Sequence, residues 1–151
     1  MSPRIGIGYD AHRFAAGRRL VLGGVEIPHE QGLEGHSDAD ALTHAVIDAL
    51  LGAAGLGDLG THFPPAEERW RDADSVDLLR TVLGMLSGAV LNVDATVICE
   101  RPRLGESRQE MERVLGETLS APVSVKATTN EGMGALGRGE GIACLAIALI
   151  E

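Results

Sequence analysis

Aromatic residues are scarce: the chain of 151 residues has 2 Phe, 1 Tyr and 1 Trp. The core must therefore come from Ala, Val, Leu and Ile, within an apolar fraction of 44 %. So lean a core gains from packing against sister subunits. Cysteine is nearly absent. Cys99 and Cys144 show no CxxC spacing and read as small core residues in a reducing compartment, a disulfide between them being the minor alternative. No apolar run approaches the length of a membrane span. A strand-like segment begins within a few residues of the start and leaves no room for a signal or transit peptide, so cytoplasmic residence is expected. Positive charge is also short, with 13 Lys and Arg against 22 Asp and Glu and a formal net charge of -9. That balance argues against a nucleic-acid or anionic-membrane surface. A phosphate ligand would meet the same repulsion. Its counter-charge would have to come from metals, a few basic residues and backbone N–H groups.

Glycine, by contrast, is plentiful at 20 residues, which implies tight turns or close backbone approaches to ligand. The length suits one domain with a sizeable core, and there is no internal repeat or low-complexity linker. Ile5–Tyr9 alternates apolar residues with Gly and reads as a strand. Leu20–Leu22 and Val25–Ile27 flank Gly23-Gly24, a hairpin signal. Ser37 or Asp38 can cap a helix to about Leu51, with Leu42, Val46, Ala49 and Leu50 on its apolar side. Gly52–Pro65 reads as a loop. Ser75 then caps a helix carrying Val76, Leu79, Val82, Leu83 and Leu86 at helical spacing. Asn92–Cys99 is a strand, Ser107–Leu119 a polar helix striped by Met111, Val114 and Leu115, and Val123–Thr128 another strand. Ile142–Ile150 is continuously apolar, as a strand covered on both faces would be. Strands mixed with crossover helices predict an α+β (α/β) sandwich, a mixed sheet with helices on one face.

Asp10 and His12 lie two residues apart at the end of the first strand, so both side chains reach the same face. His44 sits mid-helix among apolar neighbours, where an imidazole needs a partner. One carboxylate and two imidazoles suit zinc, with manganese or cobalt as substitutes, and three protein ligands leave a catalytic position open. The bland alternative is a surface Asp-x-His and a satisfied core histidine. In HSDAD, capping is the natural use of Ser37 and Asp38. His36 has no capping use, which favours a ligand contact. Lys126–Gly141 reads KATTNEGMGALGRGEG, five glycines in sixteen residues, an anion cradle that does not fit the Walker pattern. There Glu131 suits a single carboxylate for magnesium and Arg138 a fixed charge for phosphate. Composition alone favours a turn-rich connection with Arg138 and Glu140 as a surface pair.

YDAHRF, then GGVEIPHEQGLEGHSDADALTHAVIDALLGAAGLGDLGTHFP, then ADS, then KATTNEGMGALGRGEGIAC, together resemble the 2-C-methyl-D-erythritol 2,4-cyclodiphosphate synthases from Arg4 to Ile150. The resemblance implies a homotrimer with active sites between subunits. It implies a metal-dependent, cyclising and CMP-releasing reaction on a diphosphocytidyl substrate, in the non-mevalonate route to isoprenoids. By resemblance Asp10, His12 and His44 are zinc ligands and Glu131 holds magnesium (or manganese) with the substrate phosphates. His36 and Thr129 match catalytic positions that stabilise the transition state. Asp58, Leu59 and Gly60 match a segment holding the erythritol hydroxyls, and Phe63–Glu67 a mobile loop over substrate, with Phe63, Glu67 and Ser37 among the substrate contacts. Cys99–Gly105, including Arg103 and Leu104, matches the cytidine pocket together with Thr128, and Arg138 matches a phosphate contact. Three departures stand out. Ala135 replaces a common Phe, Pro65 and Glu67 replace familiar Asp residues, and Arg103 replaces a familiar Lys, keeping charge but changing hydrogen-bond geometry.

Overall fold

The computed structural model describes residues 2–151. Strand β1 runs Arg4–Ala15, well beyond the expected Ile5–Tyr9. Strand β7, Gly141–Ile150, lies antiparallel along almost all of it, from Arg4 opposite Ile150 to Arg13 opposite Gly141. Strand β5, Val90–Ile98, pairs antiparallel with the other edge of β7. Strand β6, Val123–Thr128, joins β5 in parallel, which requires the crossover helix α4, Ser107–Leu119. Short β4, Gly32–Leu33, pairs with the far end of β1. The order is β4-β1-β7-β5-β6, a mixed sheet as expected. Strands β2, Leu20–Leu22, and β3, Val25–Ile27, form the separate hairpin that Gly23-Gly24 predicts.

Helix α1, Ala41–Ala54, crosses β1 and β7. Gly6 and Gly8 make that contact possible. A Cβ on Gly6 would stand 2.0 Å from the Ala49 carbonyl oxygen, and one on Gly8 would stand 1.8 Å from that of Ala45. The strand glycines thus admit a helix backbone rather than a ligand, and they bring His44 down onto Asp10. Helices α1, α3 (Ser75–Leu83) and α4 pack together over one face of the sheet. Leu42, Val46, Ala49 and Leu50 are fully buried there, with Leu79, Met111 and Leu115.

Several local expectations change. The cap of α1 is Asp40, not Ser37 or Asp38, because Asp40 alone reaches the Thr43 N–H from the capping position. Asp74 caps α3, whose first residue is Ser75, and α3 ends at Leu83 before Leu86. The Gly52–Pro65 stretch contains the last turn of α1 and a short helix α2, Leu59–His62. A second short helix, α5, Gly134–Gly137, interrupts the glycine-rich segment. Strand β7 is not covered on both faces. Ala146 and Ala148 are buried under helices, but Leu145 and Ile147 are 37 % and 51 % exposed on the opposite face. Ile5, Ile7 and Tyr9 of β1 lie exposed beside them. Cys99 and Cys144 are buried and free, so no disulfide forms.

Candidate active site

Asp10 and His12 project from the helix-covered face of β1, and His44 from the second turn of α1. His12 Nε2 lies 2.7 Å and His44 Nδ1 3.1 Å from the same oxygen, Asp10 Oδ2. All three ligand atoms fall within 4.8 Å of one another, close enough to share one metal ion. The outward nitrogens are committed elsewhere. His12 Nδ1–H donates to the Glu34 carbonyl at 2.8 Å. Ser75 donates its hydroxyl proton to Asp38, so Ser75 Oγ accepts from His44 Nε2–H at 2.8 Å. The Ser37 hydroxyl lies 3.3 Å from the same nitrogen. Locked this way, each imidazole turns a lone pair toward a carboxylate oxygen. Two lone pairs facing a carboxylate repel unless a cation sits between them, so this donor set fits a metal ion. Without a cation, a proton must take its place beside Asp10. Burial pushes the Asp10 carboxyl up, but hydrogen bonds and charge from His12 and His44 outweigh it and bring it down to about 2. Burial pulls His12 down, but its hydrogen bond and attraction to Asp10 raise it above its ordinary value.

The segment before α1 is held from three sides. His36 Nε2–H donates to the Glu67 carbonyl at 3.2 Å, and the His36 carbonyl accepts the Asp72 N–H at 2.8 Å. Arg18 donates to the Gly35 and Ser37 carbonyls on either side of His36, at 3.0 and 2.7 Å. Asp40 is wholly buried and accepts from the Gly23 and Gly24 N–H groups, the Thr43 N–H and the Thr43 hydroxyl. Burial, and then the charge of Asp38, raise its carboxyl pKa despite those donors.

A cavity of about 350 Å³ opens at the ends of β5 and β6, lined by Cys99, Pro102, Arg103, Leu104 and Thr128 among others. Burial and the charge of Glu100 push the Cys99 thiol up to about 11, so it is a neutral wall there and not a nucleophile. Thr129 borders the same cavity, and Glu131 follows it, exposed, at the tip of a turn. Asp10, His12 and His44 do not line this cavity. Asp10 and Val97 both stand opposite Cys144, so the two groups share a height on the sheet. Their strands, β1 and β5, lie two spacings apart, roughly 10 Å between backbones.

Asp58 caps α2, its Oδ1 accepting the Thr61 N–H and hydroxyl at 2.9 and 2.8 Å, which lowers its pKa. The Leu59 N–H donates to Asp48 Oδ1 at 2.7 Å, and Asp48 lies one turn beyond His44 on α1. The Asp58–Gly60 segment is therefore pinned to the helix that carries His44. Phe63 is 5 % exposed, its ring edge-on to Trp70 at 4.9 Å. The Glu67 side chain pairs with Arg69 at 2.6 Å, while its carbonyl meets His36. Arg138 pairs with Glu140 at 2.6 Å, beside a separate cavity of about 360 Å³ that includes Phe14, His29 and Arg101. Ser75 and Asp38 both have capping chemistry, which hides their link to His44 from sequence reading. Arg18, Asp48 and Glu100 carry no sequence signal at all, since each acts on a backbone group distant along the chain.

The sequence profile described as the YgbB family matches residues 3–151. The chain is 57 % identical over 152 residues to a 2-C-methyl-D-erythritol 2,4-cyclodiphosphate synthase of Symbiobacterium thermophilum, covering 97 % of both chains. It is 56 % identical over 154 residues to the enzyme of that name from Salinibacter ruber, covering 98 % of both. A solved synthase of the same name, in a CDP-bound form, superposes with a TM-score of 0.89 at 35 % identity, covering 98 % of this chain and 100 % of that one. The bifunctional IspDF of Campylobacter jejuni superposes with a TM-score of 0.94 at 37 % identity, where this chain spans 99 % of its own length and 42 % of the longer protein. On this similarity, which runs the full length of the strand bearing Asp10 and His12, the helix bearing His44 and the glycine-rich turn, the chain belongs to the YgbB family of 2-C-methyl-D-erythritol 2,4-cyclodiphosphate synthases.

Proposed function

We propose that this protein converts 4-diphosphocytidyl-2-C-methyl-D-erythritol 2-phosphate into 2-C-methyl-D-erythritol 2,4-cyclodiphosphate and CMP, in the non-mevalonate isoprenoid route. The observation that carries the reading is the Asp10, His12 and His44 cluster with its outward nitrogens locked, in a chain of this family. Asp10, His12 and His44 would hold zinc (or manganese or cobalt) and Glu131 would hold magnesium, and these ions would supply Lewis-acid counter-charge to the substrate's diphosphate.

The chain's residues bind, orient and shield. The cytidine occupies the 350 Å³ cavity, with Leu104 and Cys99 as its apolar wall and Arg103 and Thr128 at its polar rim. Asp58, Leu59 and Gly60 meet the erythritol hydroxyls. His36 and Thr129 donate hydrogen bonds to phosphate oxygens where charge builds up in the transition state, with Ser37 and Arg138 as further contacts. A phosphate monoester has its second pKa near ~6, so the 2-phosphate is mostly dianionic at neutral pH and needs no general base. Its oxygen bonds to the β-phosphorus, the bond from that phosphorus to the CMP oxygen breaks, and CMP leaves as an anion. This agrees with a site that has no activated Ser or Cys. Correct orientation of such an intramolecular attack lowers the barrier by roughly 7–11 kcal/mol. Water must be kept from the β-phosphorus, which is the task of the Phe63–Glu67 loop over the site.

The working form in this reading is a homotrimer in which neighbouring chains complete each site. Ile5, Ile7, Tyr9, Leu145 and Ile147 form a continuous exposed apolar strip on the open face of the sheet, which supports such packing. No helix among the described residues is long and apolar enough to cross a membrane, and the acidic charge disfavours nucleic acid. The test is direct. The diphosphocytidyl substrate is supplied with zinc and magnesium in isotopically heavy-oxygen water. CMP with an unlabelled cyclic diphosphate is expected. A labelled product that never cyclised, released with CMP, would make the protein a hydrolase instead.

A further inference from the structure

Glu131 lies in an unfavourable backbone conformation. Its φ is +54°, and Gly132 follows at +73°. The Met133 N–H donates back to the Asn130 carbonyl at 3.0 Å, closing a tight turn with Glu131 and Gly132 at its two centre positions. Positive φ at both centres suits Gly, Asn or Asp, and a glutamate there persists only where its surroundings hold it. Asn130 Nδ2 donates across the turn to the Met133 carbonyl at 2.8 Å, and Glu100 supplies two further contacts. Glu100 Oε2 accepts the Asn130 N–H at 2.7 Å, and Glu100 Oε1 accepts the Gly132 N–H at 3.1 Å. One carboxylate thus grips the backbone on both sides of Glu131. The Glu131 N–H itself donates to Thr129 Oγ1 at 3.2 Å.

We infer that Glu100 is a positioning residue that sets the orientation of Glu131 for its metal ion; this rests on the magnesium reading above. Glu100 follows Cys99, whose N–H bonds the Thr128 carbonyl, and precedes Pro102, Arg103 and Leu104 in the wall of the 350 Å³ cavity. The segment that shapes the nucleoside pocket therefore also aims the metal carboxylate. Through Glu100, seating of the base and placement of the diphosphate metal become one geometric event. Each oxygen of Glu100 accepts one backbone N–H, which fixes the carboxylate in place.

The test measures CDP binding by calorimetry on zinc-loaded protein, with magnesium added and with none present. The readout is the ratio of the two dissociation constants. Glu100→Ala is expected to shrink that ratio about tenfold, as loss of a residue supporting a metal ligand does. Glu100→Gln, which keeps one acceptor oxygen, is expected to shrink it less. Excess magnesium should restore CDP affinity in both variants. Zinc content at the distant trio reports that each variant has folded, and if Glu100→Ala loses it, Glu100→Gln decides. An unchanged ratio overturns the inference, whatever happens to metal-free CDP affinity. A wild-type ratio of one refutes the magnesium assignment itself, and the inference with it.

Discussion

The proposed function assigns metal ligands to two places built on opposite principles. At Asp10, His12 and His44, each outward nitrogen is held by a neighbour and the cluster is mostly enclosed between β1 and α1. At Glu131 the carboxylate is exposed, on a strained turn gripped on both sides by Glu100. The first site is prepared by the fold of a single chain. The second is arranged but open, as befits a magnesium position that draws most of its ligands from water and phosphate oxygens. The difference suggests a division of labour. A resident ion stays with the protein, whereas a travelling ion enters with substrate.

The sharpest break of that contrast is His44→Ala. It removes one of three ligands and leaves a cavity that neither Ser75 nor Ser37 fills. Zinc in the purified protein should fall to near zero, with turnover down by about a thousandfold or more, beyond the 10–100-fold typical of outer-layer changes. Magnesium-dependent CDP binding at the other site should survive. Metal analysis together with calorimetry checks both halves, and full zinc content in the variant would defeat the ligand assignment.

Next in size is Gly8→Ala, which attacks the prepared site through packing alone. The added methyl would meet the Ala45 carbonyl at 1.8 Å, so α1 must lift from β1. Overpacking of this kind costs about 3 kcal/mol, at the upper end of its usual range. Because His44 neighbours Ala45, zinc affinity should fall along with thermal stability. Equal stability by denaturant titration would show that the close contact is not needed.

These residues also show what the sequence could and could not reveal. Asp10 and His12 are legible because strand geometry alone puts i and i+2 on one face. The cap of α1 is not, since Ser37, Asp38 and Asp40 are all competent; the donors at Gly23 and Gly24 decide for Asp40. The β7 run is equally ambiguous, because a strip destined for another chain has the same composition as one under a helix. Leu145 and Ile147 look like Ile142 until the helices are placed. Glu100 is invisible for a further reason: it acts on N–H groups, which every residue but proline has, some thirty positions away.

Acidity gives a smaller effect whose sign differs between the metal-free and metal-loaded forms. In the metal-free protein the Asp10 pKa is depressed, so its contribution is present above about 3.8 and lost as pH falls through about 2. The His12 pKa is raised above 6.5, so its contribution is present below 6.5 and lost as pH rises through the higher folded value. Zinc works the other way, because it displaces the His12 proton. Below the raised pKa, zinc binding weakens by about 1.4 kcal/mol per pH unit for that one proton. The gap in melting temperature between zinc-loaded and metal-free protein should therefore widen from pH 6 to pH 8. A gap that narrows over this range would remove His12 from the ligand set. Magnesium at Glu131 should show no matching dependence, since no histidine donates there.

The smallest expected effect comes from Ser75→Ala, and it tests why the first site is called prepared. Ser75 Oγ accepts from His44 Nε2–H and passes its own proton to Asp38. Removing it leaves the ring's tautomer to the weaker 3.3 Å contact with Ser37. The proton can then move to Nδ1, where it blocks the metal. Zinc affinity should fall about tenfold, the lower end for such supporting residues, with little change in magnesium-dependent CDP binding. Ser75→Thr keeps the hydroxyl and should recover most of the loss if its methyl is accommodated. Competition against a chelator of known affinity reads the difference. Were Ser75→Ala to bind zinc as tightly as the parent, the order of the trio would come from β1 and α1 alone, and the contrast with Glu131 would be one of burial rather than of hydrogen-bonded support.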